Sequence, residues 1–268
     1  MSRKMLLLFI FLFLRTSMPF ENAWAGERFA FDHLSYAKVL RGYAVNGRVE
    51  YSKLKQERQD LDEYVKSLES LSKENYKEMS RDEKIAFWIN AYNADAIKLV
   101  TDHYPLQKRF GWKALAYPEN SIQQIPDVWD RKAIKVLGRE LSLNEIEHEI
   151  LRKEFREPRI HFALVCASVG CPVLREEPYR GEKLDTQLDE QARTFLLDPR
   201  KARYEDASDT LYLSPIFKWF RKDFEKSGGV LSFVKRYLPG EIAKKISEDT
   251  KIEWLDYGWS LNERKGVT

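Results

Sequence analysis

The chain has 268 residues, 43% apolar and 13% aromatic, enough to fill the core of one large domain or two small ones. With 45 basic residues against 42 acidic the surface is near charge balance, and runs such as Lys132 to Lys135 and Lys244-Lys245 read as solvated faces, not as a nucleic-acid patch. Two cysteines in a chain this long do not make a disulfide framework.

Met1 to Ala25 carries Arg3 and Lys4, an unbroken apolar run from Met5 to Leu14, and Ala23-Trp24-Ala25 before Gly26. That is the charged, apolar and small-residue order of a secretory signal peptide. The apolar run is shorter than the roughly 20 residues a spanning helix needs, so an uncleaved anchor is the weaker alternative. Cleavage after Ala25 would lower the net charge from +3 to +1. We therefore expect residues 1–25 to be a cleaved signal peptide, 26–268 a single domain, and the mature protein to be periplasmic or secreted, without a membrane span.

Apolar spacing predicts a first helix over Phe29 to Val45, a turn at Asn46-Gly47, and a strong amphipathic helix from Tyr51 to Leu71. Ser80-Arg81-Asp82-Glu83 reads as a capping box that opens a helix running to about His103 and closed by Pro105. That helix is apolar nearly all round, so it belongs in the core, and it carries Asn90 and Asn93 one turn apart. Buried amides need partners. They either bond loop backbone and fix the core, or they position a substrate or an oxyanion. Phe110 to Asp130 is an aromatic-rich loop stretch, Ile134 to Leu141 a short hairpin, and Ser142-Leu143-Asn144-Glu145 a second capping signal whose helix contains Glu147 and His148.

Arg159 to Pro172 concentrates the chemistry. An apolar run from Ile160 to Val165 reads as a central strand, carries His161, and ends in a turn that holds Cys166, Ser168, Gly170 and Cys171. Beyond it, Leu184 to Leu197 is helical, Ala202 to Ser214 a hairpin, Pro215 to Phe224 and Gly229 to Leu238 two short helices, and Lys251 to Tyr257 alternates like a strand. The pattern as a whole predicts one helix-rich α+β domain with a small antiparallel sheet.

Several of these segments resemble a known family. Phe87 to Ala94, Asn144 to His148, Ile160 to Pro172, Ile216 to Phe220 with Asp223-Phe224, and Tyr257 to Asn262 look like domain-of-unknown-function family 547, over roughly Asp82 to Asn262. The resemblance implies that the asparagines, His148, His161 and the cysteine turn form one shared feature, and it implies no reaction.

Three chemistries fit these residues. The first is a thiol nucleophile, Cys166, activated by His148, with Asn90 or Asn93 on the oxyanion; His161, Glu147, Ser168 and Cys171 are secondary candidates. In a flat strand His161 would face away from Cys166, which favours His148. Such an enzyme would cleave or transfer an amide- or ester-type bond. The competing reading of the cysteines is a Cys166–Cys171 disulfide, which a turn of this length can close and an oxidising compartment favours. The second chemistry is a zinc site from His148, His161, a cysteine and Glu147 or Glu149, but no metal-binding spacing supports it, and neither a metal nor a cofactor is expected. His33 and His103 read as surface or satisfied histidines. The third is a non-catalytic envelope protein whose aromatic residues, Tyr257-Gly258-Trp259 among them, bind a small molecule, peptide or glycan.

Overall fold

A computed structural model describes residues 29–109, 111 and 115–265, so the signal-peptide expectation falls on residues outside those described. Helix α1 (Leu34–Tyr43) leads into a two-residue hairpin, β1 (Ala44–Val45) and β2 (Arg48–Val49), closed by Asn46 and Gly47 at positive φ. The single helix expected from Tyr51 to Leu71 is two: α2 (Tyr51–Gln56) and α3 (Gln59–Glu69). Side chains hold the break at Glu57-Arg58. The Tyr43 hydroxyl donates to Glu57, and Arg58 donates to Asp62 and Asp102. After α4 (Lys73–Glu78) comes α5 (Arg81–His103), the axis of the fold.

The capping box forms as expected, with Glu83 N–H donating to Ser80 Oγ (3.2 Å) and Ser80 N–H donating to Glu83 Oε2 (2.6 Å). Nearly every residue from Ile85 to Thr101 is buried, because other helices cover α5 on several sides. The hairpin β3 (Ile134–Val136) and β4 (Arg139–Leu141) then delivers the chain to Ser142 and Glu145, which cap each other reciprocally. The helix they open, Glu145–Phe155, is a π-helix and not an α-helix. Capping signals and apolar spacing do not separate the two, since the difference is one residue of hydrogen-bond offset.

The strand expected from Ile160 to Val165 does not exist. Pro158–Phe162 is a 3-10 helix, started by Pro158 and by the Glu157 carboxylate accepting from Arg159 N–H. Ala163 to Val165 pairs with no strand; Ala163 and Leu164 N–H donate back to Ile160 O, and an amide side chain serves Ala163 O and Val165 N–H. Next come α6 (Leu184–Leu197), the hairpin β5 (Ala202–Glu205) and β6 (Thr210–Leu213), α7 (Ile216–Trp219), a 3-10 segment Arg221–Ser227, α8 (Gly229–Tyr237), α9 (Gly240–Lys245) and β7 (Lys251–Trp254). Strands β5 and β6 pair antiparallel, while β7 joins β6 in parallel. The fold is α+β, helix-rich, with small sheets. Among the described residues no helix is long and apolar enough to cross a membrane.

Two apolar clusters form the core. The larger surrounds α5; the smaller gathers Phe162, α6, β6 and α8. Ile160 and Leu164 belong to the first and Phe162 to the second, so the 160–165 segment runs along the seam between them. Tyr257 packs against both. A seam between two clusters is where a cavity can open without leaving a void inside either.

Candidate active site

The two asparagines of α5 are spent on backbone. Asn93 donates to Ala163 O (2.9 Å) and accepts from Val165 N–H (2.8 Å), imitating a neighbouring strand; Asn90 does the same for Tyr179 O and N–H at 2.8 and 2.9 Å. Both are buried and neither lines the cavity that holds the two sulfurs, so they act as core clamps. Asn93 still matters to the site because it fixes the residue before Cys166.

The cysteine turn is held on every side. Cys166 and Cys171 are joined in a disulfide, and the described residues contain no free cysteine. The Cys166 sulfur, preferred from the sequence as a free nucleophile, is therefore engaged in the bridge. Val169 N–H donates to Ser260 O and Gly170 N–H to Gly258 O, both at 2.8 Å, while Asn262 N–H donates to Ala167 O at 3.0 Å. Lys201, buried, donates to Val169 O (2.5 Å) and Cys171 O (3.0 Å), and burial lowers its ammonium pKa to about 8. Gly170 is required by a close approach: a Cβ there would stand 2.7 Å from the Tyr257 ring. Ser168 is buried, its hydroxyl meets Cys166 within the turn, and its backbone forms an isolated bridge with Leu261. A disulfide closing so short a loop contributes modestly through chain entropy. Replacing both cysteines by alanine is expected to lower stability by about 2 kcal/mol in urea unfolding.

Above the turn lies a cavity of about 210 Å3, lined by Tyr92, Glu147, His148, His161, Cys166, Cys171 and Tyr257, with Trp129, Trp219 and Phe220 at its aromatic wall. The π-helix brings Glu147, His148 and Arg152 to one side, since in that geometry residues four and five apart lie next to each other. Arg152 grips Asp223 with two hydrogen bonds, Nε to Oδ2 (2.6 Å) and Nη2 to Oδ1 (3.0 Å), and donates from Nη1 to His148 Nδ1 (2.9 Å). His161 Nε2 lies 2.7 Å from Asp223 Oδ2, and its Nδ1 stands 3.9 Å from Glu147 Oε1. Phe220 stacks on the His161 ring, 3.9 Å between centroids at 14°. The Tyr257 hydroxyl touches both sulfurs, 3.3 Å from Cys166 and 3.2 Å from Cys171.

This geometry sets the protonation states. Burial works to raise the Asp223 pKa, but the hydrogen bonds from His161 and Arg152 hold it well below the usual carboxylate range. An ionised Asp223 can only accept, so His161 carries its proton on Nε2 and leaves the Nδ1 lone pair facing Glu147. Burial lowers the His161 pKa against the pull of Asp223, which keeps the ring neutral. His148 is lowered by burial and by Arg152, and its Nδ1 must be unprotonated to accept from a guanidinium. Glu147 is pushed up to about 7 by burial, opposed by Arg152 and by a hydrogen bond from Tyr92. Tyr257 is raised by burial, so its phenol remains a donor. A neutral imidazole with an oriented tautomer beside a carboxyl that titrates near neutrality is equipment for moving protons.

Residues 76–196 match the sequence model of a family described as protein of unknown function, DUF547. Over this stretch the chain is similar to the DUF547 family. No curated protein and no solved structure matches the chain. The DUF547 stretch supplies Tyr92, Glu147, His148, Arg152, His161 and both cysteines; Trp219, Phe220, Asp223 and Tyr257 come from beyond its end. The sequence segments around Ile216 to Phe224 and Tyr257 to Asn262, expected within the family likeness, thus lie outside the matched stretch but pack onto the same cavity. Arg152, Asp223 and Tyr92 escaped identification as site residues. Asp223 stands in the sequence only as part of a segment that resembles the family, and no local pattern links it to a histidine 62 positions away. Among the described residues no group of three or more histidine, cysteine or acidic side chains is arranged to hold a metal ion.

Proposed function

We propose that this chain is an exported enzyme performing thiol-dependent hydrolysis or acyl transfer at an amide- or ester-type bond, with the Cys166–Cys171 disulfide as its resting form. One observation carries the reading: a single cavity gathers the Cys166 sulfur, an imidazole oriented by Asp223, the Glu147 carboxyl and the Tyr257 hydroxyl. A dithiol reductant supplies two electrons and two protons and opens the bridge. Cys166 gives its proton to the His161–Glu147 pair, and its thiolate attacks the substrate carbonyl; the pair then protonates the leaving group. Water, or an acceptor nucleophile, attacks the thioester and restores the thiol. Tyr257 takes the oxyanion role first considered for the asparagines, whose amides are already engaged. The order of residues in 1–25 and the disulfide itself support export.

The bridge also favours a second reading, a non-catalytic binding protein in which the disulfide holds the turn and the aromatic wall takes a ligand. Reduction separates the two. The full chain, purified without reductant, would be assayed on activated esters, thioesters and anilides before and after treatment with a phosphine. The enzyme reading expects activity only after reduction, fast alkylation of Cys166 near neutral pH, and a slowing of at least tenfold in His161→Gln. Activity that survives Cys166→Ser, or a reduced Cys166 no more reactive than in the unfolded chain, sinks it.

A further inference from the structure

A second cavity of about 200 Å3 lies behind the ion pair that orients His161, lined by Arg152, Arg156, Glu157, Ile160, Lys222, Asp223 and Lys226. Its acidic atoms are already committed. Both Glu157 oxygens accept from the Arg159 guanidinium at 2.9 Å, and both Asp223 oxygens accept from Arg152, with His161 adding a second bond at Oδ2. Arg156, Lys222 and Lys226 have no hydrogen-bond or ion-pair partner among the described residues. Lys222 and Lys226 stand four apart on the helical segment Arg221–Ser227, and Arg156 ends the π-helix in a left-handed conformation at φ 53°. Four cations against two carboxylates leave the lining at +2.

We propose that this cavity is an anion site for a phosphoryl group. Three uncommitted cations converge on it, together with the edge of Arg152, and offer more donors than a carboxylate can use. A tetrahedral dianion with three terminal oxygens can accept from a guanidinium fork and two ammonium groups together. The volume exceeds that of phosphate alone, which leaves room for the group it esterifies. Occupancy is felt in the first cavity, because Arg152 is the partition: Nη1 holds His148, and Nε and Nη2 hold the carboxylate that orients His161. An anion drawing on Arg152 redistributes those bonds. The proposal stands independently of the thiol chemistry.

The test uses the full chain labelled with nitrogen-15, following imidazole resonances while inorganic phosphate replaces chloride at constant ionic strength. Saturable shifts at His148 and His161 are expected, with affinity falling at least tenfold in the triple variant Arg156→Gln, Lys222→Gln, Lys226→Gln, whose exposed positions leave thermal unfolding unchanged. Glycerol 3-phosphate forms the second arm. Tighter binding than inorganic phosphate assigns the site to a phosphoester on a larger ligand, and equal binding assigns it to the free anion. Shifts that drift linearly without saturating, or binding that the triple variant retains, overturn the proposal.

Discussion

Replacing Asn93 by alanine is expected to destabilise the protein by about 2–6 kcal/mol and to loosen the cysteine turn. The side chain satisfies Ala163 O and Val165 N–H deep in the core, where water cannot replace it. Each orphaned backbone group costs about 1–3 kcal/mol when its partner is removed, and here two are orphaned at once. Asn90→Ala provides the control. It strips Tyr179 of an equivalent pair of bonds, so the loss of stability should be similar, but Tyr179 does not lead into the turn. Urea unfolding would measure both variants, and the rate at which a phosphine opens the disulfide would separate them. Faster reduction is expected only for Asn93→Ala, because Val165 directly precedes Cys166. A cost below about 1 kcal/mol for Asn93→Ala would mean that the segment relaxes into other bonds and that the clamp is incidental.

The asparagines also show what could and could not be read in the sequence. Two amides one turn apart on an all-apolar helix announce buried hydrogen bonding, and the capping boxes at Ser80 and Ser142 announce where helices begin; such signals are local and survived intact. The segment Ile160 to Val165 has the composition of a strand, yet a strand is defined by its neighbour. Asn93 takes that neighbour's place at Ala163 O and Val165 N–H with one side chain. The misassigned strand then misdirected the choice between the histidines. In a flat strand His161 would face away from Cys166; in the 3-10 helix that forms instead, it lines the same cavity as the two sulfurs and takes Asp223 as its partner. His148, the base preferred from the sequence, lines that cavity too but is occupied at Nδ1 by Arg152. Glu147, a secondary candidate, proves to be the carboxyl with the neutral pKa, a property that depends on burial and not on any neighbour in the sequence.

Asp95 and Glu147 should each withdraw stability between pH 5 and pH 8, against the opposite trend of His33, His148 and His161, whose pKa values burial lowers. Asp95 on α5 is fully buried, neither of its oxygens has a hydrogen-bond partner, and burial raises its pKa to about 8, opposed by Lys98. Glu147, 14% exposed, is raised to about 7. Both folded values lie above those of the unfolded chain, so the stability these groups contribute is complete below about pH 4 and is lost as pH rises through the folded pKa. Between pH 5 and pH 8 the loss is roughly 4 kcal/mol for Asp95 and about 2–3 kcal/mol for Glu147, at about 1.36 kcal/mol per unit of pKa difference. Asp95→Asn and Glu147→Gln should each remove their share of this slope. The comparison between the two pH values cancels whatever the new amide costs, since that cost does not titrate. The two variants should part on function. Asp95 lines neither cavity described above, so Asp95→Asn should leave the reductant-dependent activity and its pH profile unchanged. Glu147→Gln, by contrast, removes the carboxyl that faces His161 Nδ1 and should flatten the profile near neutrality. Unfolding curves that run parallel for wild type and both variants across this range would show that neither acid is held protonated. A carboxyl kept at such a cost beside an oriented imidazole is understandable if proton transfer there is what the cavity is for.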